Sequence, residues 1–261
     1  MRSLLIAQAE EERLAAALLS GADALIVDLA QVGLAERAAA RTQAARFLEE
    51  TRGRAGGPTL IVRVNPLDTG ETDADLDAVM PHAPGAILLP GSLGAASVQQ
   101  LSAKLAVREA EFALDDGSTR IIALADAARS LFGMGSYRGS SARLIGVAWS
   151  AEELRDDIGA ETDRNPSGAY AGPYRLARDL TLIAATAARV AAIDTGFPVL
   201  HDEEGLRAEA LAARRDGFAG KIAIAPAQAA VINGAFPLRP TPLGRRTPKP
   251  QKAGDEGSSQ S

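Results

Sequence analysis

Three charged residues lie far apart in the chain, yet each stands at the same kind of place, just past the end of a short apolar run. Arg63 ends the run that starts at Thr59 and opens Arg63-Val-Asn-Pro66, Asp126 follows the run Arg120 to Ala125, and Glu153 comes shortly after Leu144 to Trp149. Parallel strands bring such ends together on one rim, which is where barrels of alternating strands and helices bind their substrates. A guanidinium and two carboxylates are thereby expected to share one site.

The elements that must position them repeat eight times. Each repeat pairs a short β-branched or leucine-rich run with an alanine-rich amphipathic stretch. The strand runs are Leu4 to Ala7, Ala24 to Leu29, Thr59 to Val64, Ala86 to Leu89, Arg120 to Ala125, Leu144 to Trp149, Ala191 to Asp194 and Lys221 to Ile224. Helical stretches include Glu11 to Leu19, Leu34 to Glu50, Ala95 to Ala110, Tyr174 to Val190 and Glu203 to Arg215. Strand-helix alternation at this spacing requires parallel strands, and eight of them close into a (β/α)8 TIM barrel. A doubly wound open sheet is the alternative. One barrel domain is expected over residues 1–236. Beyond it, residues 237–261 alternate prolines with Arg245, Arg246, Lys249 and Lys252, a composition that cannot offset its chain entropy and predicts a disordered tail.

Composition sets the outer limits. With 261 residues, 46% of them hydrophobic, the chain can bury a large core. Its net charge of −5 and few aromatics supply neither the basic field nor the stacking platform that nucleic acid needs. The absence of cysteine excludes a disulfide framework and a thiol nucleophile. The first apolar stretch, Ser3 to Ala7, runs into Glu10-Glu-Glu12 and is too short for a signal peptide or a membrane span, so a cytoplasmic protein is expected.

A resemblance adds to these readings. Arg2-Ser-Leu-Leu5, Ser20-Gly-Ala-Asp-Ala-Leu-Ile26, Asp28-Leu29, Arg63-Val-Asn-Pro66, Leu89-Pro90 and Ala151-Glu-Glu-Leu154 are similar to the citrate lyase β-subunit type of CoA-ester lyase, within the HpcH/HpaI aldolase superfamily. Ala192-Ile-Asp194, Gly205-Leu206, Gly217-Phe218, Pro226-Ala-Gln228 and Val231-Ile-Asn233 continue it in order, so that it covers residues 2–236. The resemblance implies a Mg2+-dependent carbon–carbon lyase that takes a CoA thioester of a small hydroxy (di)carboxylic acid and releases a small keto acid, assembled as a homo-oligomer, a trimer. It further implies that Asp126 and Glu153 hold the metal, that Arg63 is catalytic and binds substrate, and that Asn65 and Asp194 contribute to substrate binding.

The chain also departs from that pattern. Asp126 and Glu153 stand where the family has Glu and Asp, one side chain shorter by a methylene and the other longer. Ala30, Gln31, Gly91, Leu93 and Ala225 replace charged or titratable residues, and Ala7-Gln-Ala-Glu-Glu11 replaces the loop after strand one. These losses support a second reading, a barrel that keeps its shape without catalysis. A third is an aldolase acting on free hydroxy-keto acids.

Each site residue also has a structural alternative. Ser150-Ala-Glu-Glu153 reads as a capping box. Asp126 reads as a helix N-cap paired with Arg129. Arg63, alternating with Val62 and Val64, points into the barrel mouth, with Asp28 as its structural partner. His82 precedes strand four, opposite the catalytic rim; His201, at a helix start, is a general-base candidate. The stretch Asp163 to Gly168 reads as a surface turn.

Overall fold

In the computed structural model, which describes residues 1–54 and 56–237, each short run rich in Val, Ile, Leu and Ala forms a strand. These are β1 (Ser3–Gln8), β2 (Ala24–Asp28), β3 (Thr59–Arg63), β4 (Ala86–Leu89), β5 (Arg120–Ala125), β6 (Leu144–Trp149), β7 (Ala191–Asp194) and β8 (Gly220–Ala223). They pair in chain order, all parallel, and β8 returns to β1 through Ser3↔Lys221 and Leu5↔Ala223. That closing pair makes the sheet a barrel and excludes the open doubly wound alternative. Around it run α1 (Glu11–Leu18), α2 (Arg37–Thr51), α3 (Thr72–Val79), α4 (Ala95–Glu111), α5 (Ala128–Gly133), α6 (Ala151–Ile158), α7 (Gly172–Ala188), α8 (Glu203–Asp216) and α9 (Pro226–Ala235). Helix α2 begins at Arg37 and not at Leu34, which is left exposed ahead of it. The segment expected to be a disordered tail lies, from residue 238 on, outside the described residues.

Alternation along the strands sorts their side chains into two cores. Ile26, Ile61, Leu88, Ile122, Leu124, Ile193 and Ile222 face inward and fill the barrel. Val27, Val62, Ile87, Ala123, Val147 and Ala192 face outward against the helices. Each fully buried Leu or Ile contributes about 2 kcal/mol relative to leaving it in water. Lys221, in an outward position, is fully buried, and its Nζ donates to Asp194 Oδ2 at 3.2 Å and to Glu209 Oε1 at 2.8 Å. This ion cluster ties β7 and β8 to α8, and removing one partner would leave a buried charge at a cost of about 3–5 kcal/mol.

The loop after β4 is fixed by close backbone contact. A Cβ on Gly133, at the end of α5, would lie 2.1 Å from the Leu93 carbonyl oxygen, and one on Gly94 would lie 2.5 Å from the Gly133 carbonyl oxygen. Backbone meets backbone there, so nothing flexible can give way. Gly133→Ala is therefore expected to destabilise the fold by about 2–3 kcal/mol. A melting temperature equal to that of the parent would show that the two segments do not pack this closely.

Candidate active site at the barrel mouth

Parallel register sets Arg63 beside Asp28, since β2 and β3 pair Asp28↔Arg63. Both follow inward-facing isoleucines by two residues, so both enter the barrel mouth. Arg63 is only 5% exposed, and its charge is met directly: Nη1 donates to Asp28 Oδ2 at 3.4 Å, and Nη2 donates to Glu153 Oε1. Its Nε is buried without a hydrogen-bond partner among the described residues. Asp28 is fixed in turn by the Ala30 N–H at 2.8 Å and the Gln31 N–H at 3.3 Å, and burial holds its carboxyl above the usual value although Arg63 opposes the shift.

Asp126 stands two residues after inward-facing Leu124, just beyond the end of β5. Both of its oxygens accept from the Gly91 N–H, at 2.9 and 3.0 Å. Gly91 has φ +60, a conformation that favours glycine, and this turn aims its N–H at the carboxylate. Burial and the negative charge of Glu153 push the Asp126 carboxyl up to about 6, while the Gly91 N–H and Arg63 pull it down. The expected N-cap pairing with Arg129 does not form. The residue capping α5 is Ala127, without a side-chain bond.

Glu153 lies in the first turn of α6. Ser150 caps that helix, its Oγ accepting from the Glu153 N–H at 3.3 Å. The return half of a capping box is absent, because the Ser150 N–H goes to the Ala125 carbonyl and the Glu153 carboxylate turns to the mouth. There Oε1 also accepts from Gln31 Nε2 at 3.1 Å.

Asn65 and Asp194 do not join this group. β3 ends at Arg63, so strand alternation no longer governs Asn65. Its amide nitrogen donates to the Leu29 carbonyl at 3.1 Å and to Asp75 Oδ2 at 2.8 Å, bracing the loop against α3. Asp194 follows inward-facing Ile193 and so faces outward, where it accepts from Trp149 Nε1 at 2.8 Å and neighbours Lys221 and Arg178. His82 sits in the short turn before β4, and His201 just before α8; neither lines the cavity.

The mouth itself is a cavity of ≈ 300 Å³, within the range of small-ligand sites. Arg63, Glu153, Ser150 and Thr195 line it above a floor of Leu88, Leu124 and Ile222. Asp163, from the stretch read as a surface turn, forms part of its wall. Sequence reasoning missed Gln31 as a partner of Glu153, Gly91 as the donor to Asp126, and the hydroxyls of Ser150 and Thr195. Position at strand ends was the available signal for the hydroxyls.

The family model described as HpcH/HpaI aldolase/citrate lyase matches residues 2–226. The chain belongs to this family. Citrate lyase subunit beta of Leuconostoc mesenteroides subsp. cremoris is 34% identical over 217 residues, which span 83% of this chain and 70% of that protein. A (3S)-malyl-CoA thioesterase of Cereibacter sphaeroides is 29% identical over 224 residues, 85% of this chain and 72% of that one. Among solved structures, the citrate lyase beta subunit of Mycobacterium tuberculosis complexed with oxaloacetate and magnesium superposes with a TM-score of 0.74 at 29% identity, covering 90% of this chain and 96% of that one. The protein CitE of Mycobacterium tuberculosis in complex with magnesium, acetoacetate and coenzyme A gives 0.75 at 30%, covering 92% and 82%. The HpcH/HpaI barrel is thus the fold of this chain, and among the described residues no helix is long and apolar enough to cross a membrane.

The donor chemistry of the mouth suits magnesium. Among the described residues no group of three or more His, Asp or Glu side chains forms a ready-made cage. Magnesium needs none, because it is commonly held by one or two carboxylates and completes its octahedron with water and substrate oxygens. Asp126 and Glu153 offer two such carboxylates. Burial first and the charge of Glu153 second raise Asp126, and a bound cation would offset both.

This shift has a consequence for the metal-free protein. The folded pKa of Asp126, about 6, lies above the usual 3.8, so its ionisation opposes folding. Its favourable contribution is fully present below about pH 4 and is lost as pH rises through about 6. Asp126→Asn is therefore expected to stabilise the metal-free protein by about 3 kcal/mol at about pH 8 and to change little near pH 4. Urea melts at the two pH values check this, and equal stability of the two proteins at the higher pH would refute it.

Proposed function

We propose that this chain is a magnesium-dependent carbon–carbon lyase acting in the cytoplasm on a CoA thioester of a small hydroxy (di)carboxylic acid. Family membership supports the reaction class. What carries the reading is the meeting of Arg63 with Glu153, and its electrostatic coupling to Asp126, at the mouth of a barrel whose relatives are solved with magnesium, keto acids and coenzyme A.

Cleavage breaks the bond between the hydroxyl-bearing carbon and the thioester α-carbon. The hydroxyl loses its proton and becomes the carbonyl of the keto acid, and the electron pair passes to the thioester as an enolate, which is then protonated. Magnesium, when bound by Asp126 and Glu153, supplies Lewis-acid polarisation of the oxygen that becomes that carbonyl. Arg63 supplies a fixed positive charge beside the oxygens on which negative charge collects. Asp28 keeps that guanidinium oriented, so little reorganisation is needed during the reaction. Leu88, Leu124 and Ile222 beneath exclude water, which strengthens these interactions. The working unit is proposed to be a homo-oligomer, a trimer.

One observation favours the second reading, a barrel without catalysis: Arg63 already neutralises Glu153, one of the two proposed metal ligands. Thermal shift separates the readings. Magnesium is expected to raise the melting temperature of the parent, with a further rise on adding glyoxylate or oxaloacetate, and Asp126→Ala and Glu153→Ala are expected to abolish both effects. Release of acetyl-CoA or propionyl-CoA from a panel of hydroxyacyl-CoA esters should fall about 100-fold or more in Arg63→Ala. Indifference to every ligand, with no acyl-CoA released, would favour the non-catalytic barrel. Turnover of free hydroxy-keto acids without CoA would favour an aldolase.

A further inference from the structure

The cleavage proposed above takes a proton off a hydroxyl and puts one on a carbon. The group that carries it must reach the reacting atoms with an open lone pair and must be held in place. Among the described residues that line the mouth there is no histidine, lysine or tyrosine, and both cations, Arg63 and Arg155, are guanidiniums, which do not give up a proton in proteins. The hydroxyls of Ser150 and Thr195 already hold their protons, so the choice falls to three carboxylates, Glu152, Glu153 and Asp163.

Two of these are otherwise placed. Glu153 accepts from Arg63 Nη2 and from Gln31 Nε2, and it is a proposed ligand of magnesium. Glu152 is exposed, so water competes for its lone pairs. Asp163 differs from both. Its side chain is 16% exposed, its carboxylate accepts no hydrogen bond among the described residues, and its ion pair with Arg164 Nε is long, at 4.0 Å. Arg155, near enough to feel its charge, donates instead to Asp156 Oδ1 at 3.0 and 2.7 Å. Both oxygens of Asp163 are therefore open to a ligand in the mouth.

The residue next to Asp163 fixes its place. The Ala171 N–H donates to the Asp163 carbonyl at 2.9 Å, and Arg164 and Tyr170 form an antiparallel bridge, so the segment is a short hairpin. Arg164 fastens that hairpin to the barrel wall. Its Nη2 meets Glu209 Oε2 at 2.8 Å and donates to Tyr170 Oη at 2.9 Å, and its guanidinium lies 4.1 Å from the centre of the Tyr170 ring. The Tyr170 ring in turn meets Trp149 edge to face at 5.2 Å, and Glu209 is held by the buried Lys221. The ion cluster behind β7 and β8 thus extends to the mouth through the hairpin that carries Asp163. A group held this way needs little reorganisation during a reaction.

We propose that Asp163 is the general base of this site, and that it carries the proton from the substrate hydroxyl to the enolate carbon. The inference rests on the lyase reading and adds the proton carrier to it. The Asp163 carboxylate takes the proton as the O–H bond breaks; the electron pair left on oxygen forms the keto carbonyl, and the pair of the breaking C–C bond passes to the thioester enolate. Protonated Asp163 then gives the proton to the enolate carbon and returns to a carboxylate. Hydroxyl oxygen and enolate carbon start out bonded to the same carbon, so one carboxylate serves both. No other reactant is consumed.

The test compares the full chain with Asp163→Asn and Asp163→Glu. Asn keeps the shape of the side chain, and the Asp163 carboxylate makes no hydrogen bond that the fold would miss, so the variant should fold. Two rates are read at saturating magnesium. One is release of acetyl-CoA or propionyl-CoA from the hydroxyacyl-CoA panel. The other is exchange of the α-protons of those two acyl-CoA esters with D2O, followed by NMR, with oxalate standing in for a keto acid. Asp163→Asn is expected to lower both about 100-fold or more while the rise in melting temperature with magnesium and glyoxylate stays as in the parent. Asp163→Glu restores a carboxylate and is expected to recover part of both rates. Parent rates in Asp163→Asn would overturn the proposal and leave the lyase reading standing. Loss of the magnesium or glyoxylate effect in that variant would also overturn it, since Asp163 would then be a binding group. A parent that neither releases acyl-CoA nor exchanges α-protons would sink the lyase reading and this role together.

Discussion

The organising constraint of this molecule is the burial of one guanidinium at the open end of the barrel. Arg63 is nearly without solvent, and a charge in that position persists only if opposite charges stand beside it. Asp28 comes from the neighbouring strand, held in place by register, and Glu153 comes from the first turn of α6. Asp126 acts on the same guanidinium through space. When all are ionised, three carboxylates face one guanidinium and leave two negative charges in excess. A divalent cation is the simplest species that restores balance, and this supports the proposed magnesium site more directly than any single distance does.

The fold was legible in the sequence because the strands are short, β-branched and regularly spaced. The inward direction of Arg63 was legible from its alternation with Val62 and Val64. The same rule could have placed Asp194: Ile193 faces inward, so Asp194 must face outward, where Lys221 waits. Its match to a family motif outweighed that rule in the sequence reading. Asn65 was misleading for another reason. Alternation stops where the strand stops, and two residues after Arg63 the chain has already turned toward α3. The capping box was half legible. Ser150 caps α6, but Glu153 prefers a buried cation to a backbone N–H, as expected when a charge-assisted bond competes with a neutral one.

Two of the departures that look like lost chemistry in the sequence have a use in the structure. At Gly91 a left-handed turn directs a backbone N–H onto Asp126, and at Gln31 a neutral amide donates to Glu153 from the rim. Neither adds charge to the mouth. The Gly91 N–H favours the ionised form of Asp126, which burial and the charge of Glu153 disfavour. The changes at Ala30, Leu93 and Ala225 have no such replacement; Ala225 caps α9 without a side-chain bond, and Leu93 contributes its carbonyl to the contact with Gly133.

The exchange of Glu for Asp after β5 and of Asp for Glu in α6 also changes how the two acids can behave. Asp126 is short, and its two oxygens are pinned by one backbone N–H, so it has little freedom to lose. Glu153 has a longer reach and a side chain 22% exposed, and without a ligand it uses that reach to engage Arg63. In the proposed enzyme the two roles are linked. When a substrate carboxylate takes Arg63, Glu153 is freed toward the cation, and when the cation takes Glu153, Arg63 is freed toward the carboxylate. Each ligand removes the competitor of the other, so metal and keto acid favour one another by the same factor in both directions. A rigid acid on the strand, an adaptable acid on the helix and a guanidinium shared between protein and substrate would make that coupling a property of the site itself.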